Sequence, residues 1–213
     1  MCIRDSRLTV RNLAWSADSL HHQPRPANFA DPDQHLVFVK ADIIFAAYGF
    51  NESFAGPDGL GEFKAKLTGF VQAAKAKAFN GKRGPQLVLL SPIASENITG
   101  VDAAKNNKNI RLYTRAMSEV AKAQQIGFIN VFDATIKAMR PTGIDLTFNG
   151  CHLNDAGYRL FGRLVFDAAF DKPALFVNEE IRAAVLEKNK QFFRRFRPVN
   201  TFYYTGGRNR SYG

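Results

Sequence analysis

One histidine of the chain stands among residues that could do chemistry with it. His152 lies in "TFNGCHLNDAGY", residues 147–158, between a Gly-containing loop and an apolar helical pattern. A neutral imidazole in such a place can take the proton of a hydroxyl nucleophile, and the tetrahedral intermediate that follows needs donors aimed at its oxyanion. Asn51, in "YGFNES", can donate from its side-chain amide. A backbone N–H near Ala17, in "AWSADS", can donate if that loop is tight. These are the groups that acyl transfer requires.

Other residues carry less. His21 and His22 sit beside Gln23, Pro24 and Pro26 with no partner ligands at metal spacing, and read as solvated loop. Two cysteines, Cys2 and Cys151, make no disulfide framework, and no Cys/His spacing suggests zinc. Cys151 adjoins His152, but neighbouring residues on an extended loop point apart, so a buried small hydrophobe is expected there. "GPDGLGEF" has neither the dinucleotide glycine pattern nor a Gly-Lys-Ser/Thr ending and reads as turn chemistry.

Regular elements must position these residues. Short apolar, β-branched runs at Leu8 to Leu13, Asp42 to Tyr48, Gln86 to Ser91 and Gly127 to Phe132 predict buried strands. Helical stripes run through Phe63, Leu67, Phe70, Val71 and Ala74, and through Ile110, Tyr113, Met117, Val120 and Ala121. A third helix follows Asn154 as N-cap through Tyr158, Phe161, Leu164, Val165 and Ala168. A fourth begins at Asn178, with Glu179 and Glu180 in its first turn, and continues to about Phe193. Strands alternating with helices predict an α/β fold with a parallel sheet, whose ligands sit beyond the carboxyl ends of the strands. The segments that follow those ends are "AWSADS", "YGFNES", "SPIASEN" and "FDAT", with "NGCHLN" after them.

Taken in order, "RNLAWSADS", "YGFNES" and "NGCHLNDAGY" resemble the second, third and fifth sequence blocks of the SGNH (GDSL-like) hydrolases, over about residues 8 to 170. The resemblance implies a flavodoxin-like three-layer α/β/α sandwich and ester hydrolysis without a cofactor. It implies Asn51 as an oxyanion donor, joined by Ala17 through its backbone, and His152 as general base. Three positions depart from the pattern. The Gly-Asp-Ser nucleophile block should lie on a strand before Leu8, where only "MCIRDSR" stands. The second-block glycine is Ala17, whose methyl group disfavours a positive φ. The aspartate three residues before the histidine is Asn149, which can orient an imidazole but cannot stabilise an imidazolium by charge; Asp145, Asp155, Asp133 or a backbone carbonyl are the alternative orienters. A rival reading takes "ADSL" as the nucleophile block and Ser19 as nucleophile, but "HHQPRPANFADPDQHLVFVK" then supplies no second block.

The chain has 213 residues, 46% of them hydrophobic, enough for a sizeable core, and no apolar run long enough to span a membrane. Seven of the formal net charge of +10 come from Lys188, Lys190, Arg194, Arg195, Arg197, Arg208 and Arg210. Interleaved with them are Phe192, Phe193, Phe196, Phe202, Tyr203, Tyr204 and Tyr212, a mixture that can bind nucleic acid or an anionic membrane surface; without a recognised binding motif, packing against other sequence is the favoured expectation. "MCIRDS" reads as translated sequencing adapter, so the native start is expected to be lost, and the end at "GGRNRSYG" is expected to be cut as well. The expected organisation is a non-native start at 1–7, a hydrolase-like domain at 8–175, and a helical, basic extension at 176–213. The expected substrate is a small-molecule or carbohydrate ester; no residue seen here names the acyl group, and nothing reports localisation beyond the family's association with export. The other class to weigh is a binding or scaffolding module whose triad has decayed.

Overall fold

In the computed structural model, residues 9–15, 17–23, 25, 28–139, 144–170, 173 and 178–196 are described. The expected non-native start at 1–7, Leu8, and the tail residues Arg197, Phe202, Tyr203, Tyr204, Arg208, Arg210 and Tyr212 lie outside that set, as do the side chains of Arg195 and Phe196.

Three strands, β1 (Ile43–Ala47), β2 (Gln86–Leu90) and β3 (Gly127–Ile129), form a parallel sheet in the order β1-β2-β3. The register pairs Ile43 with Gln86, Ala46 with Leu89, and Leu89 with Phe128. Around them lie α1 (Pro32–Phe38), α2 (Leu60–Lys75), α3 (Ala103–Gln124), α4 (Val131–Ala138), α5 (Asp155–Phe170) and α6 (Glu179–Phe196), with a 3-10 helix over Glu52–Gly59.

Alternation along each strand assigns the two faces. Ala46, Leu87 and Leu89 point to one side, where Phe63, Leu67 and Val71 of α2 and Tyr113, Met117, Val120 and Ala121 of α3 bury against them. Val88, Leu90 and Ile129 point to the other, against Phe161 and Val165 of α5. Helices on both faces make the three-layer α/β arrangement of the flavodoxin-like class. Each large side chain buried this way is worth about 1.5–3 kcal/mol, which is what turns the weak stripes of α2 and α3 into fixed helices.

Local signals set the ends of the elements. Asp31 and Gln34 form a capping box at α1, with Pro32 at its first position. Asp102 caps α3 by accepting from Lys105 N–H, and Gln125 closes it in the left-handed region at φ 55°. Asn154 caps α5 by accepting from Gly157 N–H at 2.9 Å, and Asn178 caps α6 by accepting from Glu180 and Ile181 N–H.

Two expected strands are corrected. Residues 9–13, part of the run read as a strand from Leu8 to Leu13, form none, and Val10 is 68% exposed. No strand pairs with this segment among the described residues, and a strand requires ladder hydrogen bonds to a neighbour. The run from Gly127 to Phe132 is strand only to Ile129, because Asn130 accepts from Asp133 N–H and starts α4. Val131 and Phe132 are buried, but as helix residues.

Candidate active site

Each candidate residue stands on a loop at the carboxyl end of the sheet or on a loop tied to it. After β1 the chain turns through Gly49, at φ +100°, and enters the 3-10 helix, placing Asn51 at the turn. Asn51 is exposed, and its amide nitrogen points at the carbonyl of Asp18, 3.4 Å away. Ala17, beside it, adopts φ +64°. A left-handed alanine costs roughly 1–2 kcal/mol, so the surroundings must enforce the turn. They do so through Glu52, 6% exposed, whose two carboxylate oxygens accept from Leu20 N–H and Gly49 N–H at 2.8 Å each. Arg25 adds a two-pronged pair with Asp18 at 2.7 Å and lies over the Trp15 ring. The Asn51 amide therefore lies against the residue that follows Ala17, and the Ala17 N–H makes no hydrogen bond among the described residues.

Ser19 is placed differently from a nucleophile. It is 7% exposed, its hydroxyl donates to the carbonyl of His22 at 3.3 Å, and the same oxygen accepts from His22 N–H at 3.1 Å. The hydroxyl closes a local turn and has no contact with His152 among the described residues.

The loop of His152 is held by a second buried carboxylate. Glu96, 4% exposed in the loop after β2, accepts from Leu146 N–H at 2.8 Å, Thr147 N–H at 2.6 Å and the Thr147 hydroxyl at 2.5 Å. Its own N–H donates to the carbonyl of Gly150 at 2.9 Å. Thr147 Oγ1 in turn accepts from Gly150 N–H at 3.0 Å. Gly150 sits at φ +86°, and a Cβ there would come 3.0 Å from Val101 Cγ2, so any side chain would strain the backbone and crowd Val101. An exposed turn is thereby fixed to the sheet from beneath.

On that turn Asn149 faces His152. Asn149 Oδ1 accepts from His152 N–H at 2.9 Å and from Cys151 N–H at 3.3 Å. The amide's Nδ2 and Oδ1 lie 2.9 and 3.0 Å from His152 Nδ1. Because Nδ2 donates and Oδ1 accepts, Asn149 can partner either imidazole tautomer. The ring stacks on Phe148 at 5.6 Å, and Nε2 has no hydrogen bond among the described residues. Asp145, Asp155 and Asp133, the other candidate orienters, make no contact with the ring; Asp133 is engaged by Arg111 and Asn130.

Cys151 overturns one expectation. Its Sγ lies 3.2 Å from His152 Nδ1 rather than pointing away, because the backbone here is a turn and not extended. Burial pushes the thiol up from its ordinary value, so it meets the imidazole as a neutral S–H.

Glu52, Glu96 and Thr147 carry the loop architecture and were not singled out by residue type. The signal was present: an acid inside the small-residue segments "FNES" and "ASEN". Two shallow concavities lie elsewhere, one between α2 and α3 at Lys64, Gln72 and Glu119, one at Phe29, His35 and Phe38; neither is lined by a candidate site residue. No group of three or more His, Cys, Asp or Glu side chains is arranged to hold a metal among the described residues.

A family model described as the GDSL-like lipase/acylhydrolase family matches residues 3–160. The chain belongs to that family. Among solved structures, this GDSL-like chain is similar to the acetylxylan esterase Axe2 from Geobacillus stearothermophilus, with 18% identity over 63% of this chain and 62% of that one, at a TM-score of 0.48. A putative platelet activating factor from Streptococcus pneumonia matches with 26% identity over 59% and 58% of the two chains, TM-score 0.49. A lipase/acylhydrolase from Enterococcus faecalis matches with 18% identity over 66% and 68%, TM-score 0.47. The chain thus spans about 62% of the length of the first of these relatives. No curated protein matches it.

Proposed function

We propose that the intact protein hydrolyses carboxylic esters, an O-acyl group on a carbohydrate or small alcohol, by a Ser-His mechanism in which His152 is the general base. The observation that carries this reading is the placement of His152: exposed, engaged at Nδ1, and without a hydrogen bond at Nε2 among the described residues. An imidazole set this way can take a hydroxyl proton at Nε2. Asn51 Nδ2 and Ala17 N–H are the oxyanion donors. The nucleophile is a serine outside the described residues. An edge strand whose outer face leaves Ile43 and Phe45 48% and 46% exposed is a suitable neighbour for the strand that would deliver it.

The test is ester hydrolysis by the full-length parent. His152→Ala should abolish turnover, and Asn51→Ala should lower kcat by about 10² to 10³ with KM little changed. Unchanged turnover in the His152 variant ends the proposal.

One observation favours a second reading, a non-catalytic binding or scaffolding module. Asn149 satisfies either tautomer of His152, so it does not hold the ring as a base in the way a carboxylate does. A parent that folds and carries a serine block but resists a fluorophosphonate probe would support the module and count against the hydrolase.

A further inference from the structure

We propose that Asn149 is a self-modifying residue: within the folded loop its amide is converted to a carboxylate through cyclisation with the backbone nitrogen of Gly150. The consequence drawn for His152 rests on the hydrolase reading above, but the modification itself does not.

Attack of a backbone nitrogen on a side-chain amide needs the nitrogen deprotonated, the amide carbonyl polarised, the leaving nitrogen protonated and no bulky side chain on the attacking residue. The loop supplies all four. The attacking residue is glycine, held there by its φ of +86°. Its N–H donates to Thr147 Oγ1 at 3.0 Å, and that hydroxyl donates to the buried Glu96 carboxylate at 2.5 Å, a two-step path from the nitrogen to a base. Asn149 Oδ1 accepts from two backbone N–H groups, those of Cys151 and His152, which would hold the negative charge that develops on this oxygen. Asn149 Nδ2 lies 2.9 Å from His152 Nδ1, which in the imidazolium form can protonate the departing nitrogen.

The chemistry balances without an external reagent other than water. The Gly150 N–H proton passes to Thr147 Oγ1 as the hydroxyl proton passes to Glu96. The nitrogen bonds to Cγ of Asn149, the Cγ–Nδ2 bond breaks, and ammonia leaves with the proton from Nδ1. Solvent returns the proton from Glu96 to the ring. Water then adds to Cγ of the cyclic imide, the Cγ–N bond breaks, and the backbone is restored with aspartate at the position. Polarisation of Cγ by the two N–H groups directs water there, so aspartate forms in preference to the isoaspartate that dominates in unstructured peptides. A carboxylate can only accept, so the product would hold the proton of the neutral ring on Nδ1 and leave Nε2 open as a base.

The test is peptide mass mapping of the purified chain incubated in water enriched in heavy oxygen, beside the same chain unfolded in urea. Asn149 should gain one heavy oxygen faster in the folded chain, as aspartate. Thr147→Val, which removes the relay hydroxyl, and His152→Gln, an exposed change that keeps the fold, should each slow the folded-state conversion by about tenfold or more. An amide that persists in the folded chain while the unfolded chain loses it overturns the proposal, as does conversion of the His152→Gln variant at the parent rate. Asn149→Asp, made directly in the full-length parent, separates the two readings. If it hydrolyses esters while Asn149 never converts, this inference fails and the hydrolase stands; if Asn149 converts and the aspartate variant is inert, the reverse holds.

Discussion

At the scale of single residues, the candidate site is organised by buried carboxylates that tie its loops together. Glu96 answers three donors in a buried position, so Glu96→Ala leaves two backbone N–H groups and a hydroxyl unpaired; a loss of about 2–4 kcal/mol in urea unfolding is expected. Ala17→Gly should move the other way, raising stability by up to about 1 kcal/mol, because relief of a left-handed alanine outweighs the added freedom of the unfolded chain. The half-buried Cys151 thiol gives a pH-dependent readout. Since its titration is displaced upward, Cys151 holds less thiolate at neutral pH than an exposed cysteine, and its alkylation, followed by peptide mapping, should lag that of a model thiol and catch up only at higher pH. Of this candidate site, His152, Asn149 and Asn51 can be picked out from residue type and short-range order. Glu96 and Glu52 cannot, since what makes them matter is burial against loops 50 and 32 residues away along the chain.

At the scale of elements, capping was the most readable signal. Asn154 and Asn178 cap α5 and α6 as their residue types suggest. Asn154 also donates to the carbonyl of Asp145 at 2.7 Å, so its loss frees both ends of the histidine turn. Asn154→Ala should cost about 1–2 kcal/mol in thermal unfolding and increase hydrogen exchange at Thr147 to Leu153 before the sheet is affected. A strand forms where a described neighbour pairs with the run, and its end is set by local capping, as at Asn130. Apolar periodicity cannot tell "LTVRNL" from "IIFAA"; the difference lies in what runs alongside. The same ambiguity hid α4, because Val131 and Phe132 continue the apolar run of β3 and only the Asn130 cap divides them.

At the scale of the whole molecule, β1 is covered on one side only among the described residues. Ile44 and Ala46 pack into the α2 and α3 layer, whereas Ile43 and Phe45 look outward past the reach of α5. Such an edge is a template for association. Phe45→Lys should therefore reduce self-association in analytical ultracentrifugation at a cost below about 1 kcal/mol in stability, since little buried area is lost. A variant that associates as strongly as the parent would place the sticky surface elsewhere.

Among the described residues that sheet has no hairpin. Both strand pairs are parallel, and each joins segments separated by a whole helix and its loops. A nascent chain consequently gains no sheet contact from neighbouring sequence, and it must close one long crossover before the first pair forms and a second before β3 joins. Emerging from the ribosome, it would hold Ile43 to Ala47 unpaired until Gln86 to Leu90 had been made, with α2 as the earliest available cover. How long the first strand waits for a partner during synthesis is thus set by the length of chain between Ala47 and Gln86.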